Sequence, residues 1–309
     1  MSTRRERSRI LRSRYLSGLA VAGVALLVAA SGASAASSQA VAARASGDVD
    51  VLSAGSLDTL MTKSVGPAFH RATGYTLVDT SGGSSTLAAD IKNKIDAADI
   101  FVSASPTVTK TLEGRRNGNW VSWYADFADS PEVLGYDPKS KFAHDLQTKP
   151  WYDVITMPGF LLGRTNPSQD PGGVLAYKAL TETATAEHIP ALKTLATETS
   201  DEYPEDVEEA GIENGQLDAS FMYAADAISQ DSPYVKLIGP KSLSALAGEY
   251  TISILKGSRH TAAAEAFVKF LLGPTGQAEM KHDKFGTVSP AKVSGSRVPS
   301  GLASFLKSH

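Results

Sequence analysis

Ser81-Gly82-Gly83-Ser84-Ser85-Thr86-Leu87-Ala88-Ala89-Asp90-Ile91 joins two kinds of periodicity. Ahead of it Tyr75-Thr76-Leu77-Val78 reads as a strand, and from Leu87 the apolar residues Leu87, Ala88, Ile91 and Ile95 recur at helical spacing. The loop between them offers glycines for close backbone approach and hydroxyls that donate, yet it has no lysine or arginine. Backbone N–H groups at a helix start carry partial positive charge and lack acceptors, so this turn predicts a neutral cradle for an oxyanion.

The same unit occurs just upstream. Val49 to Ser53 predicts a strand that ends at Ala54-Gly55-Ser56, followed by Leu57, Leu60, Met61 and Val65 at helical spacing. Gly66-Pro67 should kink or split that helix, and Gly74 should stop it. Ala98 to Ser103 is a third strand. Strand, helix, strand, helix, strand with short connections implies a parallel sheet, with Ser56 and Ser84 both at its carboxyl edge. Open α/β folds bind ligands at that edge.

A second α/β segment runs from about Gly135 to Ile238, with strands at 160–163 and 218–223 and a helix start near Ala176. Asp201 to Glu209 (DEYPEDVEE) reads as a solvated acidic helix face or loop. Tyr250 to Leu255 predicts a late strand, and Ala262 to Leu272 an amphipathic helix stopped by Gly273-Pro274.

The first 35 residues have another character. Six arginines and one glutamate in residues 1–14 precede an apolar run from Tyr15 to Ala30 and a small-x-small site at Ala33 and Ala35. This predicts an export leader cut after Ala35, since the run is short beside the ~20 residues of a spanning helix. Residues 36–48 then form a flexible lead-in. The 309 residues contain no cysteine, so disulfides and a lipid-modified cysteine are excluded. Removing the leader leaves 24 basic and 32 acidic residues, a net charge of −8 that disfavours nucleic acid.

Enzyme motifs are missing. Gly82-Gly83-Ser84-Ser85-Thr86 lacks the closing glycine of a nucleophile elbow, there is no Gly-Lys-Ser/Thr, and the six histidines are scattered. An exported serine hydrolase using Ser84 remains the alternative of a different class.

The series AGSL (54–57), GGSSTLAADI (82–91), DIFVSAS (99–105), WYADFADSPEVLGYDPKSKFA (123–143), PWYDVITMPGFLLGRTNPSQDPGG (150–173) and ENGQLDASFMYAADA (213–227) resembles the substrate-binding proteins of molybdate/tungstate ABC importers, in the tungstate-type branch. The resemblance implies a two-lobed α/β type II periplasmic-binding-protein fold with mixed sheets of parallel type. The first lobe would comprise 49–134 and a return segment 241–309, and the second lobe 135–240. It also implies a non-catalytic monomer without a cofactor, which closes on the oxyanion and passes it to a membrane permease. Its ligand-binding positions fall on Ser56, Ser84, Asp170, Glu213 and Tyr223, with Asp170 and Glu213 approaching the molybdenum or tungsten itself. Where that family has Gly-Tyr-Arg after Asp-Pro, this chain has Gly172-Gly173-Val174. Arg164 is expected to make a structural contact and Asp226 to cap a helix or mark a hinge. Sulfate, phosphate or a small organic solute are the alternatives within binding proteins.

Overall fold

The computed structural model describes residues 46–229 and 235–308. The export leader, its cleavage after Ala35 and most of the lead-in lie outside the described residues.

Strand β1 (Asp48–Ala54) runs into a 3₁₀ turn at Gly55–Leu57, a wide π-type turn at Leu60–Val65 and helix α1 (Gly66–Thr73). The kink expected at Gly66-Pro67 takes the form of that wide turn: the Gly66 N–H reaches back to the Met61 carbonyl. A Cβ at Gly66 would lie 2.7 Å from the same carbonyl oxygen, so the turn requires glycine there. Strand β2 (Thr76–Gly82), helix α2 (Ser84–Asn93), strand β3 (Ile100–Ser103) and helix α3 (Pro106–Lys110) follow. β1 pairs in parallel with β2 on one side and β3 on the other, as the alternating pattern predicts.

Strand β4 (Trp123–Tyr136) is fourteen residues long and belongs to two sheets. Through Pro131 it pairs antiparallel with β8 (Ala247–Ile254); from Glu132 onward it pairs with β6 (Ala219–Tyr223). Between β4 and β6 come α4 (Ala143–Thr148), α5 (Trp151–Val154), β5 (Leu162–Gly163), α6 (Pro171–Ala186), α7 (Pro190–Thr197) and α8 (Glu205–Glu213). After β6 the chain forms α9 (Ala224–Ser229), β7 (Lys236–Ile238) and α10 (Lys241–Ser244) before β8. Helices α11 (Thr261–Leu272) and α12 (Pro274–His282) and strand β9 (Gly286–Gly295) complete the first lobe, with β9 on the outer side of β4. Two short helices, α13 (Ser300–Ala303) and α14 (Phe305–Ser308), follow.

Each lobe has its own core. In the first, Phe69 meets Phe267 edge-to-face at 5.2 Å and packs with Val49, Val51, Ile252 and Leu271. In the second, Leu134, Trp151, Leu180 and Phe221 pack together. Leu243 of α10 belongs to this second core, so the return crossing occurs near Leu246-Ala247, a few residues past the boundary expected at 240. The outgoing crossing at Pro131-Glu132 similarly precedes the expected 134 by a few residues. β4 does not break between lobes, and only its change of partner marks the boundary.

Asp79, on edge strand β2, is partly buried and takes the Ser53 hydroxyl at 2.9 Å. Burial pushes its carboxyl up to about 7, partly offset by Ser53 and reinforced by the charge of Asp58. In the unfolded chain the group returns to an ordinary value near 3.8. Its contribution is therefore fully present below about pH 4 and lost as pH rises through 7. Asp79→Asn should keep that stability at pH 8, so its melting temperature falls less than the native protein's between pH 5 and pH 8. Parallel melting curves with the same slope against pH would contradict this.

Candidate functional site

The carboxyl edge of β1 and β2 faces the second lobe across a cavity of about 400 Å³. From the first lobe it is lined by Gly55, Ser56, Asp58, Thr59, Ser81 to Gly83 and Thr86. From the second it is lined by Thr165, Asn166, Gln169, Asp170, the start of α8 from Tyr203 to Asp206, Glu209 and Asp226. Among the described residues that line it, six are acids and none is a lysine, arginine or histidine.

Ser56 follows β1 on the 3₁₀ turn. Its Oγ accepts the Tyr250 hydroxyl at 2.9 Å, which leaves the serine's own O–H free to donate into the cavity. Ser84 opens α2 but is wholly buried behind the lining, with its Oγ accepting the Ala104 N–H at 3.1 Å. No histidine is hydrogen-bonded to it among the described residues, so it lacks the base a hydrolytic nucleophile requires.

Asp170 precedes Pro171 and caps α6, accepting the Gly172 N–H at 2.7 Å and the Thr165 hydroxyl at 3.2 Å. Its carboxylate also takes the Ser84 N–H, so it lies between helix starts of both lobes. Burial raises its pKa, opposed by those hydrogen bonds. Tyr223, at the end of β6, is buried edge-on against Tyr250 with ring centroids 6.0 Å apart, and its hydroxyl has no hydrogen-bond partner among the described residues. It sits behind the cavity, beside Gly172 and Gly248.

Glu213 does not join this group. It is the last residue of α8 and exposed, about 12 Å along the helix axis from Glu205. α8 points its N-terminal end at the cavity, so Glu205 lines the site and Glu213 does not. The acidic run likewise departs from a solvated face: Asp201 and Glu208 are buried and Glu205 meets Asp226. Burial, then the charges of Asp226 and Asp170, hold Glu205 well above the carboxylate range. Asp226 accepts the Tyr223 N–H at 3.3 Å, the capping role expected of it, and also lines the cavity. Beneath them Glu132 on β4 is fully buried with neither oxygen partnered, and burial pushes its carboxyl far up.

Arg164, immediately after β5, is a structural contact. It is wholly buried, 3.0 Å from Glu202 and 3.4 Å from Asp201, and it donates to the Glu198 carbonyl. Burial lifts Asp201 to about 6 even beside this guanidinium. With the Asn166 side chain also on Glu202, the arginine ties the 198–203 segment to the one carrying Thr165 and Asp170. A group of Asp50, Asp99 and His260 lies away from the cavity. There Asp99 already accepts the N–H groups of Asp50, Arg259 and His260, the Ser258 hydroxyl and the His260 ring, and so anchors the start of α11.

A two-lobed fold closing on a polar cavity, with its sheet edges turned inward, is matched by a known sequence profile. The profile of the bacterial extracellular solute-binding proteins covers residues 49–285. The chain belongs to that family. Its members are substrate-binding proteins and not enzymes. A solute-binding protein of Petrotoga mobilis is 25% identical over 297 residues, covering 84% of this chain and 90% of its own length. The molybdate/tungstate-binding protein of Pyrococcus abyssi is 22% identical over 263 residues, covering 70% and 76%. The periplasmic molybdate-binding protein of Azotobacter vinelandii superposes with a TM-score of 0.61 at 18% identity, over 77% of this chain and 98% of that one. This last likeness establishes the fold. No helix among the described residues is long and apolar enough to cross a membrane.

Replacing Arg164 with methionine would leave Asp201 and Glu202 without their cation in a buried setting. Arg164→Met should therefore cost about 3–5 kcal/mol in urea unfolding. A loss below about 1 kcal/mol would show that the segment 198–203 is held by its backbone alone.

Proposed function

We propose that this solute-binding protein captures molybdate or tungstate in the cleft between its lobes and delivers it to the permease of an ABC importer. It would act as an exported monomer, its leader cut after Ala35, without a resident cofactor. The observation that carries this reading is a cavity of uncharged donors and carboxylates without one cationic side chain.

Hydroxyls of Ser56 and Thr86 and the groups of Thr165 and Asn166 would hold oxide oxygens, with Tyr223 and Ser84 behind them. Carboxylates facing an oxyanion are repulsive by about 1 kcal/mol at 4 Å in water, and by more in a dry cleft. Neutral hydrogen bonds, each worth about 0.5–1.5 kcal/mol net, do not offset several such terms. A hexavalent molybdenum or tungsten centre can, because it accepts further oxygen ligands; sulfur in sulfate does not. Asp170 and Glu205 are the pair placed to bond the metal of the bound oxyanion, Glu205 taking the role expected of Glu213. The same pair would then attract one class of oxyanion and repel another.

The six lining acids also favour a second reading, a hard multivalent cation held by oxygen ligands alone. One panel separates the two. Melting temperature is followed with molybdate, tungstate, sulfate, phosphate, calcium and ferric iron. At a thousandfold excess over the dissociation constant a true ligand stabilises by about 4 kcal/mol, a shift of several degrees. Molybdate and tungstate are expected to give it. A shift with sulfate and none with molybdate would overturn the reading, and one with a cation alone would transfer it to the second.

The double substitution Asp170→Asn with Glu205→Gln should weaken molybdate and tungstate by roughly 100-fold, about 3 kcal/mol. Sulfate should bind as before or better. X-ray absorption of the bound metal gives an independent measurement, and a spectrum of four oxygens only would remove both carboxylates from the coordination sphere.

A further inference from the structure

The lobe-one turn at the start of α2 is already engaged by acceptors of the same chain, and the turn at Gly55 is in close contact with Glu205. The backbone carbonyl of Gln169 accepts from the N–H groups of Ser85 and Thr86, at 3.0 and 3.2 Å. The Asp170 carboxylate accepts the Ser84 N–H while capping α6 in its own lobe. These three donors are the first amides of α2, which the helix itself cannot satisfy. The approach is close: a Cβ at Gly83 would lie 2.6 Å from the Gln169 oxygen and 3.4 Å from the Asp170 Cβ. At the other turn a Cβ on Gly55 would fall on the Glu205 carboxylate. Gln169, Asp170 and Glu205 all come from the second lobe, on segments that Arg164 and Glu202 tie together.

An incoming oxyanion would compete for the same amides, since they are what the first lobe offers a negative charge. We propose that the chain serves as its own closing ligand: the Gln169 carbonyl and the Asp170 and Glu205 carboxylates hold the lobes together at the α2 and Gly55 turns without any solute, and the solute enters by exchange with them. The proposal rests on the preceding reading only for the identity of the solute. The closure comes from contacts within the chain. The two glycines are what make it fit, because any side chain at 83 would push the Gln169 carbonyl off the helix start.

The chain has no cysteine, so Lys92→Cys on α2 and Glu182→Cys on α6 supply the only pair of labelling sites. Protein unfolded in urea, washed and refolded to strip bound solute is spin-labelled at the two positions. Distances are then measured by pulsed dipolar spectroscopy with and without 1 mM molybdate. One dominant short distance is expected in both conditions. Adding Gly83→Ala should produce a second, longer distance without solute, with at least a tenfold larger open fraction. Glu205→Ala, which fills no space and leaves α2 intact, should open the lobes to a smaller degree if Gly83→Ala fails to fold.

A long distance in the parent protein that shortens on adding molybdate would overturn the proposal, because the solute and not the chain would then close the lobes. So would a short distance that persists in both variants. A closed parent that opens with Gly83→Ala but does not bind molybdate in parallel calorimetry would uphold the latch while refuting the oxyanion reading.

Discussion

The two sheets share one strand. β4 is hydrogen-bonded to β8 and β9 in the first lobe and to β6 and β7 in the second, without a break in the chain at Pro131-Glu132. A strand paired on both sides cannot slide, since a shift of one residue would exchange its faces. The lobes can therefore rotate about the middle of β4 but cannot translate past each other. The return crossing just ahead of β8 runs beside it, with Gly248 against the Tyr223 ring, where a side chain would meet the ring at 2.7 Å. Everything at the cleft follows from that axis. Ser56 and the start of α2 face the starts of α6 and α8 across the cavity beside that axis.

That geometry concentrates acids where water is scarce. Glu132, Glu205, Glu208 and Asp226 are all pushed well above the ordinary carboxylate range, in each case first by burial and then by other acids nearby. No cationic side chain lines the cavity to relieve them. Burying like charges ionised is costly, and that cost is what raises each of these carboxyls. A protonated carboxyl is a hydrogen-bond donor as well as an acceptor. Glu205 and Asp226 are hydrogen-bonded to each other, so a proton is held between the two carboxyls. Arg164, the one buried arginine among the described residues, is held by Asp201 and Glu202.

The parts of the fold that the sequence discloses are those whose periodicity is local. β1 through β3 alternate with helices whose stripes repeat at 3.6 residues, and Gly55-Ser56 and Gly82-Gly83-Ser84 mark the loops between them. β4 escapes such reading. Asp126, Asp129, Pro131 and Glu132 interrupt its apolar run, and a bulge at Asp126–Ala128 shifts its alternation. Its stability comes from four partner strands, which no window of sequence contains. β9 is hidden for the opposite reason, being largely exposed and polar. At the cavity, turn chemistry in the sequence points to Ser56, whereas Asp170 is indicated only by the family resemblance, turn chemistry alone reading it as a residue before Pro171. Glu213 rests on the resemblance of its Glu-x-Gly segment, and it lies at the far end of α8 from Glu205, which lines the cavity. A signal did exist. Glu208 and Ile212 are four apart and share a helix face, so a buried Ile212 brings Glu208 in with it, against the reading of a wholly solvated acidic run.

A site that must both hold and release an oxyanion has two ways to set its affinity. It can weaken the contacts themselves, or keep them strong and let part of the protein compete for them. Arginine or lysine at this cleft would bind tetrahedral anions generally, since their charge is attracted at any coordination number. Backbone amides and hydroxyls do not have that reach, and they discriminate by position. If the same amides are also offered a carbonyl and a carboxylate of the chain, a solute gains only the difference between its own bonds and those it displaces. Sulfate, limited to hydrogen bonds, exchanges like for like and gains little. On the proposed reading, a metal-centred oxyanion bonded by Asp170 and Glu205 would convert the displaced groups into ligands, so it alone would profit from the exchange. Selectivity would then follow from the competition itself, with no cationic residue needed from the first lobe.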